Sequence, residues 1–365
     1  MAGEIRNYFP GGNTCRGFYS FYEYLPQQAE LIFVIKGGPG TGKSTFMKEI
    51  GDQFLEAEYD VEFHWCSSDA NSLDGIVIPK VGVALLDGTA PHLIDPDYPG
   101  VVEEIINLGR YWDRSVLKHH QQEIITLTEV IWKLFDRVYA YLEEAKVARD
   151  ILEKYYIENR NMQKINRKIK ELGKEIFTGS DLATNLGDER HLFASALTPQ
   201  GRIDYYDELI EKFKRCFLIK GPLGTGKSTL LEKVGEKAQK RGLKVNYFHC
   251  PFAPDRLEAV TIPKLNVVVI NREAFVFKKR GKEEEVIDMG ECLDYQTVKE
   301  KQEEMDAIGK RFEGILEKAL AKLRKEKKLH DELEEIYKKA MNFELVDKRR
   351  NQVLEEICEW AEIEL

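Results

Sequence analysis

Two ten-residue stretches carry the residue types that bind phosphate: Lys36 to Thr45 reads KGGPGTGKST, and Lys220 to Thr229 reads KGPLGTGKST. In each, two glycines stand five apart, Gly37 and Gly42 or Gly221 and Gly226, and a Lys-Ser pair follows, giving the phosphate-loop pattern G-x-x-x-x-G-K-[ST]. Glycines let the backbone bend so that successive N–H groups point inward at phosphate oxygens, and a side chain at Gly37 or Gly42 would block that approach. A helix opening at the lysine adds its positive dipole end. Lys43 and Lys227 are then placed to reach the β and γ phosphates as point charges, and the Ser44 and Ser228 hydroxyls to ligate Mg²⁺. The expected nucleotide-binding set is Gly37, Gly38, Pro39, Gly40, Thr41, Gly42, Lys43, Ser44 and Thr45 in the first loop. Its counterpart is Gly221, Pro222, Leu223, Gly224, Thr225, Gly226, Lys227, Ser228 and Thr229.

Carboxylates near these loops set the expected chemistry. Asp87 closes the apolar run Val-Gly-Val-Ala-Leu-Leu, where a strand-end aspartate would hold Mg²⁺ through water. The same register gives Asn271 in the second copy, which brings no charge; Glu273 is the nearby substitute. Asp69, in Cys66-Ser-Ser-Asp-Ala-Asn-Ser-Leu-Asp74, is positioned to orient water or a substrate hydroxyl, and its counterpart is Ala253. Asp74 keeps an acidic counterpart, Glu258. The catalytic expectation is therefore Lys43, Asp87 and Asp69, with Ser44, Asp87 and Ser228 at the metal, and with unequal sites. Arg110 and Arg114 stand one turn apart but meet Asp294 and Val298 in the same register, so they read as exposed helix arginines. His64 and His249 do not align, and His92, His119 and His120 lack partners at ligand spacing.

These residues need strand, loop and helix in that order, and the sequence supplies the order twice. Apolar runs Leu31 to Ile35 and Cys216 to Ile219 precede the loops, and helix-compatible segments Phe46 to Ala57 and Leu230 to Gln239 follow them. Second strands at Val61 to Cys66 and Val245 to Cys250 come next, then a polar loop, then third runs at Val81 to Leu86 and Leu265 to Ile270. Alternating strands and helices predict parallel α/β sheets. The chain matches itself without a gap at an offset of 184 residues: Arg6, Phe9, Thr14 and Gly17 recur as Arg190, Phe193, Thr198 and Gly201, and Ile78-Pro79-Lys80 recurs as Ile262-Pro263-Lys264. This is a tandem duplication.

Beyond each α/β part the pattern changes to heptads. Ile124, Leu127, Ile131, Leu134, Val138, Tyr141, Ala145, Ala148, Leu152 and Tyr155 predict a long helix, and Met162 to Ile176 a shorter one turning back. In the second copy Met305 to Ala319 and Leu329 to Phe343 read likewise, and charged residues fill the other faces as solvated surface. The expected domains are 1–184, with an α/β core to about residue 100 and helices over about 101–177, and 185–365, with a core to about 280 and helices over about 285–365; Thr178 to Asp188 is the linker.

A formal net charge of -9 argues against a general nucleic-acid binder. Six cysteines without a C-x-x-C pair suggest neither zinc nor a redox dithiol. With no apolar signal core and no membrane-spanning run, the expected compartment is the cytoplasm. No N-K-x-D supports guanine recognition, D-x-x-G at Asp97 to Gly100 lies in a proline-bounded turn, and no LSGGQ-like segment is present, so adenine is the default base.

On IKGGPGTGKSTFMKEIG, CSSDANSLDGIVIPK and LLDGTAPH in the first half, and IKGPLGTGKST and TIPK in the second, the chain resembles a bacterial family of tandem P-loop ATPases or NTPases. The resemblance covers essentially the full length. It implies tandem P-loop NTPase modules with ATP bound at Gly37 to Thr45 and Gly221 to Thr229, and it implies no substrate beyond the nucleotide. The sequence thus predicts a Mg²⁺-dependent ATPase. A small-molecule or nucleotide kinase and a nucleotide-gated scaffold that binds a protein partner through its helices are the alternatives.

Overall fold

The computed structural model describes residues 2–27, 29–90, 94–271, 273 and 284–365; His92 lies outside them. The first half runs β1 (Ile5–Tyr8), the hairpin β2 (Gly11–Thr14) and β3 (Gly17–Ser20), β4 (Leu31–Lys36), α1 (Lys43–Glu56), β5 (Val61–Trp65), β6 (Leu73–Ile78), β7 (Val83–Asp87) and β8 (Glu103–Asn107). Helices α2 (Arg114–His119), α3 (Gln121–Glu158) and α4 (Met162–Phe177) complete it. The second half repeats the order with β9 (Glu189–Leu192), β10 (Ser195–Thr198), β11 (Gly201–Asp204), α5 (Tyr206–Glu211), β12 (Arg215–Lys220), α6 (Lys227–Gln239), β13 (Val245–His249), β14 (Leu257–Ile262), β15 (Val267–Asn271) and β16 (Glu284–Asp288). It closes on α7 (Tyr295–Glu300), α8 (Gln302–Ala340) and α9 (Phe343–Ala361). The chain therefore holds two similarly built α/β halves, each a mixed sheet followed by a long helix.

The sheets are mixed, not parallel as the alternation predicts. Their orders are β1-β5-β6-β7-β4-β8 and β16-β12-β15-β14-β13-β9. β4 runs parallel to β7 and β8, while β6 runs antiparallel to both β5 and β7. The sequence hides β6 because Asp74 and Gly75 make its start read as loop, yet only residues 79–82 separate it from β7, and so short a link permits only antiparallel pairing. β8 and β16 lie inside spans predicted as helical. They are edge strands whose paired glutamates, Glu103-Glu104 and Glu284-Glu285, mask the pattern.

In α3 and α4 the predicted helix and return are present. In the second half the phase break after Ala319 is not a turn: Leu323 and Glu326 carry the buried seam onward, and α8 runs unbroken to Ala340. Both returns are set by asparagine caps, Asn161 accepting from the Lys164 N–H at 3.0 Å and Asn342 from the Leu345 N–H at 3.2 Å. Downstream of β15 the register between halves is 181, because three fewer residues join β15 to β16 than join β7 to β8. Arg110 and Arg114 thus correspond to Glu291 and Tyr295, not to Asp294 and Val298; both arginines are exposed.

Packing exchanges the helices. The inner faces of both sheets, with Ile32, Val34 and Leu86 against Leu218, Val268 and Ile270, form one contiguous core. The outer face of the first sheet is covered by α1 and by Val346, Val353 and Ile357 of α9, from the second half. Reciprocally, Ile165, Leu172 and Ile176 of α4 join α6 on the second sheet. Equivalent residues Phe9 and Phe193 exchange backbone hydrogen bonds of 2.9 and 3.2 Å, which puts a pseudo-twofold axis through that pair. The long helices α3 and α8 run antiparallel, with Tyr155 beside Glu304 and Glu144 beside Arg311. The sequence repeat and the packed bodies therefore divide the chain differently. Among the described residues no helix is long and apolar enough to cross a membrane.

Candidate functional site

The first loop leaves β4 and enters α1 through Gly40 at φ +64° and Gly42 at φ +90°, left-handed conformations that side chains strain to adopt. The Thr41 hydroxyl braces the turn by donating to the Gly38 carbonyl at 2.8 Å. Lys43 folds back over the loop, donating to the carbonyls of Gly37 at 3.2 Å and Gly38 at 2.9 Å, and its ammonium lies 3.6 Å from the Asp87 carboxylate. Asp87 ends β7 directly opposite Ile35 on the loop-bearing strand. Burial pushes its carboxyl above the usual range, and the Lys43 charge and the Thr89 hydroxyl pull it back. Ser44 Oγ accepts from the Leu73 N–H at 2.9 Å, which ties α1 to the start of β6 and to Asp74, itself hydrogen-bonded to the Tyr22 phenol. Lys43, Ser44 and Asp87 are thus brought together.

Asp69 has a partner that sequence reading did not supply. It lies 3.3 Å from the Lys327 ammonium on α8 of the other half. Successive turns of that helix continue along the loop. A Cβ added at Gly40 would lie 2.7 Å from the Glu334 carbonyl oxygen, and one at Gly38 would lie 2.9 Å from the Tyr337 ring. Phe343 and Val346 of α9 flank Gly42. The outer rim of the first loop is therefore roofed by the second half.

The second loop has the same skeleton and different charges. Gly224 and Gly226 take φ +72° and +91°, Thr225 donates to the Pro222 carbonyl at 2.8 Å, and Ser228 Oγ accepts from the Leu257 N–H at 2.9 Å. Lys227 donates to the carbonyls of Gly221 and Pro222. Its carboxylate neighbour is not at the Asp87 position, now Asn271, but is Glu273, at 3.7 Å, which also accepts from the Gly221 N–H at 2.9 Å. Glu258, in the place of Asp74, is committed to Arg202 at 2.8 Å and to the Tyr206 phenol at 2.7 Å. The first half has Phe18 where Arg202 stands. Here the roof is α3 and the turn after it: Arg160, in that turn, donates to the Gly224 carbonyl at 3.1 Å, and Glu153 of α3 grips Arg256 through two contacts of 2.7 and 2.8 Å.

Sequence reading places the charges of α3, α8 and their adjoining turns on solvated faces, and so misses Lys327, Glu334, Glu153 and Arg160. A signal exists at offset 181, where Lys146 and Asp150 recur as the ion-paired Lys327 and Asp331, and Glu153 as Glu334. Of the histidines, His64 is fully buried beside Glu62 and His120 pairs with Glu123, so neither joins a site.

One turn of α8 toward its N-terminus from His330, Glu326 is 1 % exposed, and one of its carboxylate oxygens has no hydrogen-bond partner among the described residues. Burial pushes its carboxyl from 4.5 up to about 8. The folded chain then binds a proton that the unfolded chain releases, so this group subtracts stability as pH rises from 4.5 to about 8. Glu326→Gln is expected to raise the unfolding free energy by about 2–4 kcal/mol near pH 8.5 and to change it little below pH 4.5. Urea unfolding at the two pH values checks this; an equal gain at both would remove ionisation as the cause.

Comparison with protein-family models, with curated proteins and with solved structures finds no match for this chain.

Proposed function

We propose that the chain binds a nucleoside triphosphate on each phosphate loop and hydrolyses it at the first, as a tandem P-loop ATPase whose second site retains nucleotide. The observation that carries this reading is the Lys43–Asp87 pair, 3.6 Å apart at the mouth of a left-handed glycine loop, against Asn271 at the equivalent place. ATP is the substrate by elimination of guanine-reading motifs. In this reading the N–H groups of residues 40–45 and the opening of α1 bind the phosphates, and Lys43 exchanges its two carbonyl contacts for phosphate oxygens. Asp69, ion-paired with Lys327 at 3.3 Å, orients the attacking water and accepts its proton.

Among the described residues no group of three His, Cys, Asp or Glu side chains converges on a cation position. The Ser44 hydroxyl and the buried Asp87 instead fit Mg²⁺, which keeps several waters and takes phosphate oxygens and one or two protein groups. The ion, held there, would neutralise charge on the phosphate oxygens. At the second site the equivalent residues are Ser228 and Asn271, a poorer set.

Asp87→Asn tests the assignment. Phosphate release from Mg²⁺-ATP is expected to fall about 100-fold, the scale of losing one charge-stabilising group, while two nucleotides stay bound per chain. Release within twofold of the wild type would remove Asp87, and the first site with it, from the reaction. A second reading, capture of a partner by the helices, draws on Trp132, 63 % exposed on α3. Nucleotide-dependent quenching of that indole by a bound protein would favour it.

A further inference from the structure

Four differences from the first site make the second less acidic or more basic, while Glu273, where the first has Thr89, adds a carboxylate. Asn271 replaces Asp87, and Ala253 replaces Asp69. Glu258 keeps its charge but spends it on Arg202. Finally, α3 presents Arg149 where α8 presents His330, at the register of 181.

Arg149 makes no ion pair within 4 Å among the described residues, although the Glu258 and Glu153 carboxylates lie near enough to favour its charge. Its guanidinium rests 3.8 Å from Cys250 Sγ and 5.2 Å over the Phe252 ring, both in the loop after β13 that faces the phosphate loop. Lys227, whose side chain is 10 % exposed, lies near enough to feel it: burial lowers the Lys227 pKa, Glu273 opposes that, and the Arg149 charge lowers it further. Arg149 lies one turn of α3 before Glu153, whose carbonyl oxygen would meet a Cβ on Gly224 at 2.9 Å, so cations from both halves reach this loop, with the Glu153 and Glu273 carboxylates also near Lys227. The two cations are complementary to a multiply charged anion placed between them. The loop already shows its preference, because the half-exposed Glu273 carboxylate sits on the Gly221 N–H and beside Lys227, in the manner of a phosphate oxygen.

We propose that the second site holds the triphosphate tail without a metal ion, clamped between Lys227 of its own loop and Arg149 of the opposite half. This rests on the reading that both loops take nucleoside triphosphates. Charge that a divalent ion would neutralise at the first site is neutralised here by the arginine, and the missing metal carboxylate follows as a consequence. The site would then retain nucleotide through cycles of metal-dependent turnover at its neighbour.

Radiolabelled ATP is counted on the full-length chain by equilibrium dialysis, first with Mg²⁺ and then with excess EDTA. Two nucleotides per chain with Mg²⁺ and one with EDTA are expected. Arg149→Ala and Lys227→Ala should each weaken the EDTA-resistant binding at least tenfold, Arg149→Lys should restore part of it, and Lys43→Ala should leave it intact. Two nucleotides with Mg²⁺ and none with EDTA would overturn the metal-free clamp while sparing the nucleotide-binding reading. So would EDTA-resistant nucleotide lost in Lys43→Ala alone. No nucleotide under either condition would overturn the underlying reading itself. The wild-type comparison needs no variant, so a misfolded substitution leaves the outcome decisive.

Discussion

Lys43→Ala is expected to lower phosphate release from Mg²⁺-ATP by at least about 100-fold and to reduce bound nucleotide from two per chain to one. The ammonium stands at the focus of the first loop, donating to Gly37 and Gly38 and facing Asp87 at 3.6 Å. The neighbouring Lys36 cannot replace it, because its own ammonium is spent on the carbonyls of Gly88 and Ile94, at 2.7 and 2.8 Å. Removing Lys43 also leaves the buried Asp87 without its cation. Burial then pushes that carboxyl further toward the neutral form, which binds a metal-bound water less well. Phosphate release and bound nucleotide, measured on the same samples, separate the two sites. Undiminished release from Lys43→Ala would show that the first loop is not the hydrolytic centre.

The largest effect on stability is expected at the seam between the halves. Glu62 on β5 is 4 % exposed and receives both terminal nitrogens of Arg190, on β9 of the other half, at 3.1 and 2.7 Å. Burial alone would push the Glu62 carboxyl up, but the Arg190 charge and its hydrogen bonds, with His64 adding to them, hold it well below the usual range. Such a group contributes stability above its unfolded pKa, near 4.5, and loses it as pH falls toward the folded value. Glu62→Gln leaves the Arg190 guanidinium, with a side chain 12 % exposed, facing a neutral amide. The expected cost is about 3–5 kcal/mol at pH 7. Urea unfolding should show the difference from wild type narrowing below pH 4.5, where the unfolded chain takes up the proton. A constant difference across that range would assign the loss to packing. In the second half Asn246 stands where Glu62 does, so the pair breaks the pseudo-symmetry.

Within a loop the sequence is nearly sufficient. The Gly, Lys and Ser residues of each loop lie within ten positions, so their relative placement follows from backbone geometry, and the left-handed Gly42 and Gly226 are where the pattern requires them. The duplication and the Asp87-to-Asn271 difference were equally legible, because the register holds from β1 through β7. What crosses strands was less so: β6 looks polar at its start, β8 and β16 look like charged helix, and three residues lost after β15 shift every later correspondence.

The sequence by itself determined that there are two glycine-rich loops of one pattern, that they are a duplication, and that only the first keeps an aspartate at the end of its neighbouring strand. Tertiary structure alone decided that each loop is finished by the other half. Lys327 and Arg149 stand more than seventy residues from the loops they face. On a helix carrying charge around most of its circumference, nothing local separates a side chain aimed at one of these loops from one aimed at water. That choice is made by the exchange of α4 and α9 between sheets and by the antiparallel packing of α3 on α8, which carry each long helix across the opposite site.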